Sequence, residues 1–114
     1  MRKVIGIGET ILDIIFRNGQ PTAAVPGGSV FNGIVSLART GVPVSFISET
    51  GNDRVGNTIL QFMQDSGMST EYVNVFPDGK SPVSLAYLNE HGDAEYIFYK
   101  DYPKPVSYTH LTLP

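Results

Sequence analysis

The first 67 residues alternate apolar strand patterns with amphipathic helix patterns, and this alternation most constrains the fold. A β-branched run at 3–8 ends in glycine, which is typical of a strand buried on both faces. Helical spacing of apolar residues follows over 29–40, a second buried strand over 44–48 and a second helix over 53–67. Because crossovers between strands of one sheet are short and right-handed, this order predicts an α/β fold with a mostly parallel sheet.

Local signals support both helices. Asp53 is a good N-cap for the second helix, and Gly41 and Gly67 stand where left-handed C-terminal caps are expected. A further strand pattern at 11–16 carries a single carboxylate, Asp13, within an apolar stretch. The turn signal Asn18-Gly19 follows, and two prolines then keep the chain extended up to a pair of glycines.

The pattern changes in the last third of the chain. Two strands at 83–88 and 94–99 are joined by the polar turn 89–93, which predicts a β-hairpin. Neither face of this hairpin is clearly polar, so either both faces are covered or one of them meets a ligand. The segment 104–114 fits neither a helix nor a strand pattern, and we expect it to be a non-native or disordered tail.

Composition excludes several classes of protein. A chain of 114 residues can form one small domain, and a chain with no cysteine has neither a disulfide framework nor a cysteine-based metal site. Eight Lys and Arg against 11 Asp and Glu argue against nucleic acid as a partner. No apolar segment approaches the length of a membrane span, and the N-terminal sequence lacks a cleavage signal, so we expect a cytoplasmic protein with no metal site of its own.

Two glycine-containing motifs invite a nucleotide-binding interpretation that their context does not support. Gly6-Ile7-Gly8 begins like a dinucleotide fingerprint, but the third glycine is missing and a strand pattern follows instead of a helix. No glycine-rich stretch ends in Gly-Lys-Ser/Thr, so a Walker A loop is absent from the sequence. A dinucleotide-binding domain is therefore a remote alternative.

The glycine pair before the first helix is more informative. Gly27 and Gly28 allow a ligand to approach the backbone, and Asn32 offers both a donor and an acceptor one turn into the helix. Asp13, at a strand end facing this loop, can accept hydrogen bonds from two hydroxyl groups. The arrangement suits a polyhydroxylated ligand; the alternatives are a tight helix entry, a solvated Asn32 and an edge-strand Asp13 that faces water.

In order along the chain, these blocks resemble the N-terminal signature of the PfkB-type (ribokinase-like) carbohydrate kinases. The start GETILDII is similar to the family's Gly-Glu-x-x-x-Asp, and the rest of the pattern falls on Gly27, Gly28, Ser29, Asn32, Gly41, Gly51, Asp53 and Gly56. The resemblance covers residues 3 to about 103. Ser29 and Phe31 depart from residues that are common in ribokinases, so strict ribose specificity is in doubt.

The resemblance implies a ribokinase-like, doubly wound, mostly parallel α/β sheet with a small β lid. Residues 1–103 would be the N-terminal part of that domain, with lid elements at about 11–16 and 83–99. Asp13 would hold sugar hydroxyls, Gly27 and Gly28 would give the sugar access to the backbone, and Asn32 would add a polar contact. Less secure matches are Phe98 and Lys100 as aromatic and basic sugar contacts; the alternatives are a lid-core phenylalanine and a solvated lysine.

The family's second signature, Gly-Ala-Gly-Asp with its catalytic aspartate, is absent from this sequence. We therefore expect the N-terminal portion of an ATP-dependent kinase that phosphorylates fructose or a related sugar or sugar acid, with no catalytic residue of its own. ATP and Mg²⁺ would bind elsewhere in the full-length protein, and the fragment alone would be inactive. The resemblance also implies a possible homodimer through the lid. The alternative is a non-catalytic sugar-binding or regulatory module, and the acceptor sugar stays open.

Overall fold

The computed structural model describes residues 3–78 and 80–101, and these form eight strands and two helices. The elements are β1 (Val4–Ile7), β2 (Ile11–Arg17), β3 (Gln20–Gly27), α1 (Ser29–Ala38), β4 (Val44–Gly51), α2 (Arg54–Asp65), β5 (Met68–Ser69), β6 (Val73–Phe76), β7 (Lys80–Leu88) and β8 (Ala94–Asp101). They build two four-stranded sheets. The segment expected to be a tail, 104–114, lies outside the described residues.

The first sheet is parallel throughout and is centred on β4. Strand β1 pairs with β4 on one side, from Val4 opposite Val44 to Ile7 opposite Ile47. On the other side β5 pairs with the beginning of β4, and β6 pairs with its end. Every residue of β4 is buried, as expected for a strand with neighbours on both sides. The predicted parallel α/β arrangement is confirmed.

Both helices pack on the same face of this sheet. Phe31 on α1 lies edge-on to Phe46 on β4, with ring centroids 5.6 Å apart, and it also lies 6.0 Å from Phe62 on α2. On the opposite face, Ile5 and Ile7 are 39% and 52% exposed. The described residues thus cover one face of the sheet and leave apolar side chains exposed on the other.

The second sheet has the strand order β3-β2-β7-β8. It contains the strand predicted at 11–16 and the hairpin predicted at 83–99, with β2 parallel to β7 and β7 antiparallel to β8. Strand β3 was expected only as an extended segment, but it pairs antiparallel with β2 through the Asn18-Gly19 turn. Both turn residues have positive φ, 51° and 74°. The prolines of β3 are tolerated because β3 lies at the edge of the sheet.

The predicted helix ends are also confirmed. The side chain of Asp53 accepts a hydrogen bond from the backbone N–H of Gly56 and so caps α2. Gly41 and Gly67 have φ values of 93° and 87° and follow the two helices. Within the described ranges, neither helix is long and apolar enough to cross a membrane.

Candidate functional site

Asp13, Gly27 and Asn32 meet where the second sheet adjoins the start of α1. Asp13 lies on β2, and Gly27 is the last residue of β3, diagonally across from it. A Cβ atom built on Gly27 would lie 2.5 Å from Asp13 Oδ2 and 4.0 Å from Asn32 Oδ1. Because Gly27 has no side chain, Asp13 Oδ2 can lie close to its backbone, and we refer to the place beside Gly27 that this carboxylate oxygen and the Asn32 amide oxygen border as the gap at Gly27.

The position of Gly28 also requires glycine. Its φ is 130°, and a Cβ atom there would lie 2.6 Å from the backbone oxygen of Glu9. Gly28 is the N-cap residue of α1, and no side chain among the described residues caps this helix end. First-turn N–H groups of a helix without a side-chain cap can donate to oxygen atoms of a ligand. The glycine pair thus brings backbone donors beside the Asp13 carboxylate.

Asn32 is exposed on the first turn of α1, and its backbone N–H donates to the carbonyl of Gly28 at 2.9 Å. The backbone of Asn32 is therefore in the regular helix, and its side-chain oxygen faces the gap at Gly27. Asp13 is half-buried. A ligand hydroxyl in the gap can donate to the carboxylate and exchange a second hydrogen bond with the amide.

The carboxylate of Asp13 has a protein partner that the sequence did not indicate. The hydroxyl of Ser84 on β7 donates to Asp13 Oδ1, and Ser84 is fully buried. The two residues are directly opposite each other in the β2–β7 register. One oxygen of Asp13 is therefore held by the sheet, while the other faces the gap above Gly27.

Phe98 lies in the same row of residues across the sheet. It is paired with Ser84 in the β7–β8 register, so its ring projects from the same face as Asp13. Its side chain is 59% exposed, which does not agree with a lid-core role and leaves the ring free to contact a ligand. A ring stack with Tyr96, at a centroid distance of 6.0 Å, extends this aromatic surface along β8.

Lys100 is exposed on the edge strand β8, as the alternative of a solvated lysine expected, and it also forms an ion pair. Its Nζ atom donates to Glu9 Oε2 at 3.0 Å and lies 5.8 Å from the ring centroid of Phe98. Both charged side chains of this ion pair are about half exposed. The cation stands beside the candidate site, but it is already paired with a carboxylate.

A second polar cluster joins the two sheets. Ser81, at the start of β7, donates its hydroxyl to Asp53 Oδ1 at 2.6 Å and its backbone N–H to Oδ2 at 2.9 Å. The Ser81 hydroxyl oxygen accepts the backbone N–H of Gly51 at 2.8 Å. Partial burial alone would raise the pKa of Asp53, but the hydrogen bonds from Ser81 and Gly56 outweigh it, so the pKa is lowered below its ordinary value.

The glycines of this cluster are required by close packing. A Cβ atom on Gly51 would lie 2.9 Å from the backbone nitrogen of Ser81, and one on Gly56 would collide with the carbonyl oxygen of Gly51. The spacing Gly51, Asp53, Gly56 therefore describes a junction between β4, α2 and β7. None of these three residues borders the gap at Gly27.

The described residues do not fit a metal or triphosphate site. Within residues 3–78 and 80–101, no three His, Cys, Asp or Glu side chains converge as metal ligands. Lys100, whose Nζ atom lies beside the ring of Phe98, is engaged by Glu9. No step of a reaction through ATP or Mg²⁺ can be derived from these residues.

Comparison with known proteins gives consistent results. The chain is 31% identical over 93 residues to the ribokinase of Bacillus subtilis, an alignment that covers 82% of this chain and 29% of the relative. Among solved structures, it is similar to the fructokinase of Vibrio cholerae, with a TM-score of 0.77, 27% identity and coverage of 92% and 35%. The fructokinase of Xylella fastidiosa with bound ATP shares the fold, with a TM-score of 0.74, 22% identity and coverage of 86% and 33%.

The chain spans about a third of the length of the curated relatives that it matches. Over most of its own length the chain nevertheless shares a ribokinase-like α/β fold with these solved structures, as the resemblance of its glycine and aspartate motifs implied. The family model described as pfkB family carbohydrate kinase matches residues 1–111. The chain therefore belongs to the pfkB family of carbohydrate kinases.

Proposed function

We propose that this chain forms the acceptor-sugar part of an ATP-dependent sugar kinase. The observation that carries the proposal is the gap at Gly27, bordered by Asp13 and Asn32, in a chain that belongs to a carbohydrate kinase family. Carboxylate and amide oxygens that border one place can accept hydrogen bonds from two hydroxyl groups of one sugar.

In this proposal the residues of the chain orient the acceptor. Asp13 Oδ2 accepts a hydrogen bond from one sugar hydroxyl, and Asn32 contacts a second one. Gly27 leaves room for the sugar ring, and Gly28 with the first turn of α1 supplies backbone donors. Phe98 contacts the apolar face of the ring from the second sheet, which acts as the lid.

Phosphoryl transfer also needs a base, an anion-stabilising loop and a metal-bound nucleotide, and catalysis depends on their mutual positioning. ATP supplies the phosphoryl group, and we assign its binding, with that of Mg²⁺, to residues outside the described ranges. The 114-residue chain by itself is then expected to be inactive in phosphorylation.

The ion pair of Lys100 bears on the choice of sugar. A lysine that recognises the carboxylate of a sugar acid must exchange its partner Glu9 for the ligand, and the uncompensated Glu9 would then repel the same ligand. This cost is absent for a neutral sugar. The arrangement therefore favours fructose or a related neutral sugar over a sugar acid.

The test uses a protein of the relatives' length that contains this segment, assayed for ATP-dependent phosphorylation of fructose, ribose and 2-keto-3-deoxygluconate. We expect Asp13→Asn to lower kcat/KM for the preferred sugar about 100-fold, as loss of a hydrogen bond to a charged group does at the upper end of its range. The matched control is Asp65→Asn, because Asp65 is exposed at the far end of α2. Equal activity of the two variants would remove Asp13 from the site.

The same experiment separates the alternative of a non-catalytic sugar-binding module. A protein that binds a sugar and never phosphorylates it would favour that module. The homodimer through the lid also stays a prediction. It is supported by β8, an edge strand of the described sheet on which Tyr96, Ile97, Phe98 and Tyr99 are all more than a third exposed.

A further inference from the structure

We infer that Ser84 is a positioning residue that sets the orientation of the Asp13 carboxylate and thereby the affinity for the sugar; this inference rests on the proposed function. The Ser84 hydroxyl donates to Asp13 Oδ1, while Oδ2 faces the gap at Gly27. The carboxyl group of an aspartate rotates freely about its last bond unless a partner holds it. Ser84 is the side-chain partner on β7 that holds it.

Burial makes this hydrogen bond a strong constraint. Ser84 is fully buried, so its hydroxyl cannot exchange Asp13 for solvent without a penalty. Hydrogen bonds to a charged acceptor are about twice as strong as neutral ones. Asp13 is half-buried, and its Oδ1 atom, which accepts the hydrogen bond from Ser84, lies on the side of the sheet. The carboxylate therefore presents one defined oxygen to a ligand before the ligand arrives.

The sheet register places Ser84 in the site by geometry. Asp13, Ser84 and Phe98 are directly opposite one another on β2, β7 and β8. Their side chains leave the same face of the sheet, with Ser84 between the carboxylate and the exposed ring. Alanine at this position would preserve the strand but would remove the hydroxyl that holds the carboxylate. Position 84 is thus where this chain adjusts the rigidity of its sugar contact.

The experiment measures steady-state kinetics and sugar binding in the protein of the relatives' length. We expect Ser84→Ala to raise the KM and the Kd for the sugar about tenfold, because the sugar must then orient a carboxylate that Ser84 no longer holds. The KM for ATP should stay unchanged. Ser84→Thr, which retains the hydroxyl on a β-branched side chain, should recover most of the affinity.

Two comparisons separate positioning from a general packing role. Ser45→Ala removes another fully buried strand hydroxyl, one that has no hydrogen-bond partner within residues 3–78 and 80–101, and should leave sugar binding unchanged. In an Asp13→Asn background, Ser84→Ala should change the sugar KM less than twofold, because the carboxylate that Ser84 orients is already absent.

The outcomes distinguish this inference from the proposed function. If the parent protein neither binds nor phosphorylates any sugar of the panel, both fail together. If the parent is active and Asp13→Asn impairs it, but Ser84→Ala binds sugar like the parent, only the role of Ser84 is refuted. An effect of Ser84→Ala that persists in full without the Asp13 carboxylate would also refute it.

Discussion

Removing the Asp53 carboxylate should loosen the junction between α2 and β7 and destabilise the fold. Asp53 accepts three hydrogen bonds, from the Gly56 N–H at 2.8 Å, the Ser81 hydroxyl at 2.6 Å and the Ser81 N–H at 2.9 Å. Asp53→Ala removes all three and leaves two largely buried N–H groups without partners. Loss of an N-cap costs about 1 kcal/mol and each charged hydrogen bond about 1.5 kcal/mol or more. Because such losses overlap within one cluster, we expect about 3 kcal/mol in the free energy of unfolding.

Substitutions of graded severity test this reasoning. Asp53→Asn retains an oxygen for the Gly56 N–H but places an amide N–H₂ against the Ser81 N–H, so it should cost about half as much as Asp53→Ala. Ser81→Ala removes the hydroxyl from Asp53 and from the buried N–H of Gly51, and about 2 kcal/mol is expected. The loss of unfolding free energy in the double variant should be at least about 1 kcal/mol smaller than the sum of the losses in the two single variants, because both substitutions remove the same hydrogen bond.

The assay is urea denaturation of the 114-residue chain, followed by circular dichroism in the far ultraviolet. Asp65→Ala is the matched control and should change stability by less than about 0.5 kcal/mol, since Asp65 is exposed and its side chain accepts a hydrogen bond from the exposed Gln61 side chain. If Asp53→Ala matched this control, or if the losses from Asp53→Ala and Ser81→Ala were fully additive, the junction would not be held by this cluster.

Three further outcomes are expected from the same contacts. Because the pKa of Asp53 is lowered in the folded chain from the ordinary value of 3.8, its stabilisation is full above that value and is lost as the pH falls through the folded pKa. The difference between the urea midpoints of the parent and Asp53→Asn chains should therefore narrow only as the pH falls below 3.8. Gly27→Ala should abolish sugar binding, since its Cβ would lie 2.5 Å from Asp13 Oδ2. The control Gly33→Ala should leave binding unchanged and stabilise α1 by about 1 kcal/mol, because a Cβ atom at Gly33 would have no described atom within 4 Å outside its own helix backbone and chain neighbours. Glu9→Gln should release Lys100 and raise kcat/KM for 2-keto-3-deoxygluconate relative to fructose, and an unchanged ratio would contradict the proposed effect of the ion pair.

Local signals in the sequence predicted the α/β part of the fold well. The caps of α2 depend on Asp53 and Gly67, which lie within a few residues of the helix that they terminate. The order of strands and helices then leaves few topologies, because crossovers in parallel sheets are right-handed. Strand β3 was not predicted because its two prolines argue against a central strand. Only the pairing pattern shows that it is an edge strand, where proline is tolerated.

The partners of the site residues could not be predicted from the sequence. Ser84 is 71 residues from Asp13, and Lys100 is 91 residues from Glu9, so neither contact has a local signature. The alternation of β7 offered one indication, because Ser84 is a hydroxyl residue among apolar neighbours on its face. Its partner became evident only through the parallel pairing of β2 with β7, which joins strands that are distant in the chain.

Strand β7 carries both Ser81, which contacts Asp53, and Ser84, which contacts Asp13. The strand therefore connects the junction around Asp53 with the gap at Gly27. Ser81 holds the start of β7 to Asp53, and Ser84 holds Asp13 three residues later, about 10 Å along an extended strand. Gly51 and Gly56 let the backbone of this junction close tightly. The position of the carboxylate that faces the gap therefore depends on a second carboxylate that never reaches it. The segment that contains Asp13 and the pattern Gly-x-Asp-x-x-Gly are thus structurally connected, because Asp53 holds the start of β7 and Ser84, on the same strand, holds Asp13.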